Sequence, residues 1–148
     1  MARSGGKSGA MSGANSGVPA APQILARLAR YDAGDLGPHA LALLAELKGA
    51  ASWGQSISVI ILAAALVDVV QNEDAGPAGY LDGMAFAYAG NKKTLGWLRG
   101  RRNGILHHEG PVDGLMGEPD RARWLANDAD HAITALLEFL EDLDVAGG

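Results

Sequence analysis

The clearest hydrophobic pattern lies near the end of the chain. Leu125, Ala129, Ala132, Ile133, Leu136, Leu137, Leu140 and Leu143 recur at the i, i+4, i+7, i+8 spacing of one helical face. Asp128, Asp130, Glu138, Glu141 and Asp142 fall off that stripe. The spacing predicts a long amphipathic helix, with Pro119 at its start. Upstream, "ISVIILAAALVDVVQNE" is apolar almost all round. Residues 57–62 alone would suit a strand, but the apolar stretch continues to Val70, and that length favours a helix. It is the expected central, most buried element, capped by Ser56 or Ser58. "PHALALLAELKG" predicts a helix that begins at Pro38, turns Leu43, Leu44 and Leu47 inward and stops at Gly49. A shorter one is expected over Pro22 to Tyr31, with Ile24, Leu25 and Leu28 on one side, broken by Gly34 and the Gly37-Pro38 pair.

The middle of the chain is more fragmented. "GPAG" at 76–79 predicts a turn, and "YLDGMAFAYAG" a short helix ending at Gly90 or Asn91. Helical spacing resumes from about Lys92 to His108, and "GPVDGLMGEP" reads as a loop. The fold class this predicts is all-α, a compact bundle of four to five helices. Residues 1–21 are Gly/Ser/Ala-rich without apolar periodicity and read as a flexible tail. Residues 22–148 then form a single helical domain.

Composition narrows the chemistry. The 148 residues are 48% apolar and 20% charged, enough to build one core. There is no cysteine, which excludes disulfides, thiolate metal sites and cysteine nucleophiles. The N-terminus shows no continuous apolar signal region, and the longest unbroken apolar run, Val59 to Val67, is short of the roughly 20 residues a bilayer span needs. No membrane association and a cytoplasmic location are therefore expected. The net charge of −5 argues against general nucleic-acid binding. Its distribution is uneven, however. Asn91 to His108 contains Lys92, Lys93, Arg99, Arg101 and Arg102 with no acid, whereas Asp120 to Asp144 holds seven acids against Arg121 and Arg123. A short basic patch on an acidic protein suits local phosphate contact.

That patch lies in "LRGRRNGILHHEG", residues 98–110. On a helix, Leu95, Leu98, Arg102, Ile105 and Leu106 share one stripe, so Arg102 interrupts an apolar face and needs a partner or a wet cleft. Arg99, Asn103 and His107 form a second stripe. Gly96, Gly100, Gly104 and His108 form a third. Glycine inside a helix costs about 1 kcal/mol against alanine. Three at four-residue spacing therefore suit close approach of another backbone, in the bundle or from a second copy; the alternative is that they kink or end the helix.

The segment Arg102-Asn103-x-x-x-His107 resembles the Arg–polar–x3-His signature of HEPN domains, small helical modules that act on nucleic acid. The context is similar too: an apolar helix before, the motif helix, a short loop, then a long amphipathic helix, over about residues 38–143. The resemblance implies a homodimer that cleaves RNA without a metal or other cofactor, in a cleft shared by two protomers. It implies that His107 handles protons as the ribose 2′-hydroxyl attacks and the 5′-oxygen departs, a task suited to a pKa near neutrality. Arg102 would stabilise charge on the phosphorus oxygens, and Asn103 would orient the phosphate or the histidine. Arg99, Arg101 and His108 are candidate phosphate or RNA contacts. Arg102 and His107 are about 140° apart round a helix, so two copies across a two-fold axis are needed to close a site.

Other readings stay open. Arg101 with His108, seven apart, satisfies the looser family spacing. Toxin members of the family are often more basic than this acidic chain, and many members are non-catalytic interaction or dimerisation modules; as one of these, in a defence or toxin–antitoxin type system, it would have a cognate protein partner. His107 and His108 also suit a helix C-terminus, where a cation favours the dipole. Adjacent histidines point to different faces, so "HHE" is not expected to bind metal. Asp68 is a candidate partner for Arg102, with a solvent-side position the commoner case. Trp53, Trp97 and Trp124 are stacking candidates, although burial in a core is commoner. His39 and His131 read as structural or surface residues.

Overall fold

The structure is a computed structural model, and it describes residues 17–79, 92–108 and 110–147. Five helices are present among these residues, which are joined by loops without strands. They are α1 (Pro22–Arg30), α2 (Pro38–Trp53), α3 (Ser56–Gly79), α4 (Lys92–His107) and α5 (Arg121–Gly147). The all-helical bundle expected from the pattern is the fold observed.

Helix α3 is the hub, in contact with α2 on one side and with α4 and α5 on others. Val59, Ile60, Ala63, Ala64, Leu66, Val67 and Val70 are all buried on it, which explains its lack of a polar stripe. Over Ser56–Glu73 it has the length and hydropathy of a membrane-spanning helix. Inside the bundle 44% of that stretch is buried. Opposite it, α5 buries Leu125, Ala129, Ala132, Ile133, Leu136, Leu137, Phe139 and Leu140. The predicted stripe therefore faces the core, with Leu143 packed at its edge. Helix α2 contributes Ala40, Leu44 and Leu47, with Leu43 half-buried, and α1 contributes Leu28.

Several boundaries differ from the sequence expectation. Helix α2 passes through Gly49 and ends at Trp53. Burial of Ala50 and Ala51 holds the extra turn, and Gly54, at φ +75°, supplies the left-handed terminating residue. Helix α3 continues through 76–79 instead of turning there. Helix α5 starts at Arg121, where the Asp120 carbonyl accepts from the Arg123 and Trp124 N–H groups, so Pro119 precedes the helix. The expected helix ending near Gly90 lies outside the described residues, as do residues 1–16 of the expected tail.

Residues 17–21 belong to the packed domain. Ala20 is buried, and its N–H donates to the Ala51 carbonyl at 3.0 Å. The Ala21 N–H donates to Asp130 Oδ1 at 3.2 Å. Gly17 lies so close to Gly54 that a Cβ on either would meet the other's carbonyl oxygen. Backbone contact of this kind ties residues 17–21 to the bundle, a signal that periodicity does not carry.

Candidate functional site

Helix α4 buries Leu95 and Leu98 and turns its opposite face outward. With 3.6 residues per turn, that outward face carries Lys92, Lys93, Gly96, Gly100, Asn103, Gly104 and His107. Both lysines and His107 are exposed. Leu106, expected on the inward stripe, is 52% exposed.

Arg102 continues the buried stripe toward the C-terminal end of α4 and reaches α3. Its Nη1 donates to Asp68 Oδ2 at 2.8 Å and its Nε to Asn103 Oδ1 at 3.1 Å. The same carboxylate takes Arg99, whose Nε stands 3.5 Å from Asp68 Oδ1, and Arg99 Nη2 donates to Gln71 Oε1 at 3.0 Å. Asp68 is therefore the partner that Arg102 requires, and it keeps a solvent-reaching position as well: its side chain is 42% exposed and that of Arg102 21%. One carboxylate matches two guanidiniums, which leaves the pair with a net positive charge. Gln71 could not be linked to Arg99 from sequence, since residues 28 apart on different helices share no local pattern.

Arg101 turns the other way. Nε and Nη2 both engage Asp128 Oδ2 of α5 at 2.7 Å, and Nη2 also donates to the Asp113 carbonyl. Arg101 thus joins α4, α5 and the 110–120 loop. Glu118 completes that loop, accepting from the Gly114 N–H at 3.0 Å and the Met116 N–H at 2.8 Å. The Gly114 hydrogen bond, with help from Met116 and the Arg101 charge, holds the Glu118 carboxyl below its ordinary range.

His108 leaves the helix. Its φ is +50°, its N–H closes the last turn on the Gly104 carbonyl at 3.0 Å, and its side chain is exposed. Among the described residues no hydrogen bond or ion pair joins Arg102 to His107, or Arg101 to His108. One chain therefore joins Arg102, Asn103, Arg99 and Asp68 by hydrogen bonds and ion pairs, and neither histidine takes part in that network.

The glycines of α4 make no close approach inside the chain. A Cβ at Gly96 or Gly100 would meet nothing within 4 Å, and one at Gly104 only Val112 Cγ2 at 3.8 Å. Trp97 stacks on His131 of α5, with ring centroids 4.1 Å apart and planes 14° apart. Trp53 and Trp124, expected more often in a core, are 64% and 43% exposed at the ends of α2 and α5. His39 and His131 are both at the surface. No three His, Asp or Glu side chains gather as metal ligands among the described residues.

No family model, no curated protein and no solved structure matches this chain. Function must be argued from the site. Chemically, the α4 region offers an exposed imidazole, a carboxylate-anchored pair of guanidiniums and an outward face whose backbone is bare for more than two turns.

Proposed function

We propose that this chain is a HEPN-like helical module that engages RNA through α4 and, as a homodimer, cleaves it without a metal. The observation that carries this reading is the state of Arg102. It is held by Asp68 and Asn103 at the edge of a wet surface, its side chain 21% exposed, and is not sealed beneath the leucines of its own stripe. A guanidinium fixed in this way is ready to meet a phosphate with little further ordering.

In the proposed reaction the neutral His107 imidazole takes the proton of the ribose 2′-hydroxyl while that oxygen attacks phosphorus. The 5′-oxygen leaves with a proton from an imidazolium, and Arg102 offsets the charge on the phosphoryl oxygens. Arg102 and His107 diverge by about 140° on one helix, so the two groups in a given site come from different protomers. The bare backbone at Gly96 supports close approach of a second α4. Arg101 serves a structural purpose in this scheme, because Asp128 and the Asp113 carbonyl already occupy it. That leaves Arg102 with His107 as the working pair.

A second reading, a non-catalytic interaction module with a cognate protein partner, is favoured by the Asp68 carboxylate, which already balances part of the Arg102 charge. Incubating wild type and His107→Ala with mixed single-stranded RNA in EDTA separates the two. Cleavage by wild type alone, leaving 2′,3′-cyclic phosphate ends, supports the enzyme. RNA left intact by both while retained in a gel shift leaves the binding module.

A further inference from the structure

A cavity of about 390 Å³ opens on the flank of α4, lined by Trp97, Gly100, Arg101, Gly104, Pro111 and Val112. It lies within the range of roughly 300–1,000 Å³ typical of small-molecule sites. Its floor is bare helix backbone. Alanine would fit at Gly100 with nothing within 4 Å, and at Gly104 with only an ordinary contact to Val112. Alanine is also the better helix former, so nothing inside the chain calls for glycine there.

The walls are already in place. Trp97 is fixed by its stack on His131. Pro111 and Val112 belong to a loop fastened by Arg101 to the Asp113 carbonyl and by Glu118 to the Gly114 and Met116 N–H groups. The charge of Arg101 is matched by Asp128. With that charge compensated, the Arg101 wall suits a neutral ring better than a phosphate. A floor of helix backbone without side chains, an indole stacked on His131, a proline ring and a charge-compensated guanidinium together suit a planar heteroaromatic group.

We propose that this cavity receives one unpaired nucleobase of an RNA strand whose backbone runs along the outward face of α4. The proposal rests on the RNA reading above and adds where a base is held. Stacking of a base on an aromatic side chain is sequence-tolerant and strong enough for its loss to weaken binding by about tenfold or more.

The test uses the full chain, ¹⁵N-labelled, titrated separately with the four nucleoside 5′-monophosphates and with a single-stranded RNA oligonucleotide. At least one nucleotide should shift the Trp97 indole N–H and the Gly100 and Gly104 amides. Gly100→Leu, whose side chain enters open space, should stay folded by circular dichroism and weaken that nucleotide by about tenfold or more. Should Gly100→Leu fail to fold, the wild-type shift map decides alone. No shift at these three residues with any nucleotide overturns the proposal, as does unchanged nucleotide affinity in folded Gly100→Leu. Nucleotide shifts without RNA binding keep the cavity and remove the RNA reading. RNA bound equally by wild type and Gly100→Leu, with no nucleotide shifts, does the reverse. If Gly100→Leu instead turns a dimer into a monomer and wild type shows no nucleotide shifts, the cavity is a contact for a second copy and the proposal falls.

Discussion

Replacing Asp68 with Asn keeps the side-chain shape and removes the charge that holds Arg102 and Arg99. The carboxylate receives Arg102 Nη1 at 2.8 Å and stands 3.5 Å from Arg99 Nε. Fully exposed ion pairs contribute about 0–1 kcal/mol, whereas hydrogen bonds to charged groups reach about 1.5–3 kcal/mol when buried. With Asp68 42% and Arg102 21% exposed, solvent screens much of the attraction, and the coupling should lie near 1 kcal/mol. Arg99, at the longer distance and 39% exposed, should add less than about 0.5 kcal/mol. For a domain of this size 1 kcal/mol corresponds to roughly 3–5 °C in Tm. A double-mutant cycle of Asp68→Asn and Arg102→Gln, read by urea unfolding at low and high salt, measures the term. The RNA reading makes a second demand: with its counter-charge gone, Arg102 should meet phosphate more strongly. Affinity for single-stranded RNA should rise in Asp68→Asn, and the slope of log K against log salt should steepen by about 0.7, one more phosphate contact. A coupling of zero, or an affinity that drops in Asp68→Asn as far as in Arg102→Gln, would refute the reasoning.

Other substitutions probe the frame around the site. Gly54→Ala should destabilise the domain by about 2 kcal/mol or more in thermal melts, because φ is +75° and the new Cβ would meet the Gly17 carbonyl. Gly96→Ala, with open space around its Cβ, should raise monomer stability by up to about 1 kcal/mol; under the homodimer reading it should also weaken self-association in sedimentation experiments. Glu118 has a folded-state pKa below its ordinary value of 4.5. Its contribution is therefore present above about pH 4.5 and is lost as the pH falls through the lowered value. Amide protection in residues 110–120 should fade at that acidic end, and Glu118→Gln should remove the pH dependence of this loop. His108→Gly should relieve the left-handed backbone at φ +50° and leave the melting temperature unchanged or higher. Any drop in RNA affinity then measures the lost imidazole.

The regular parts of this fold were legible because burial repeats along the chain. The α5 stripe from Leu125 to Leu140 and the long apolar run of α3 each encode their packing in their own spacing. Helix ends were less legible. Gly49 looks like a stop, yet Gly54 is the residue at positive φ, and what keeps the helix going between them is burial of Ala50 and Ala51 against other elements. The pairing of the arginines was only half visible. An arginine at position 102 must find a partner because it breaks an apolar stripe, and Asp68 was one candidate. The grip of Asp128 on Arg101 depends on how α4 and α5 pack, which spacing within either helix does not state. The tryptophans show the limit of general expectation: Trp53 and Trp124 face solvent at helix ends, where too few neighbours remain to cover an indole.

The way α1 and the residue before it are fastened to α5 bears on how the bundle closes. The Ala21 N–H reaches Asp130, and Arg27 reaches Glu141 at 2.8 Å. Ala21 and Arg27 thus gain these partners only when the last helix is made. During synthesis α1, α2 and α3 can pack on one another, but the face of α3 that meets α5 stays uncovered until α5 leaves the ribosome. An internal stop or a truncation within α5 would therefore release an aggregation-prone fragment, not a smaller working domain.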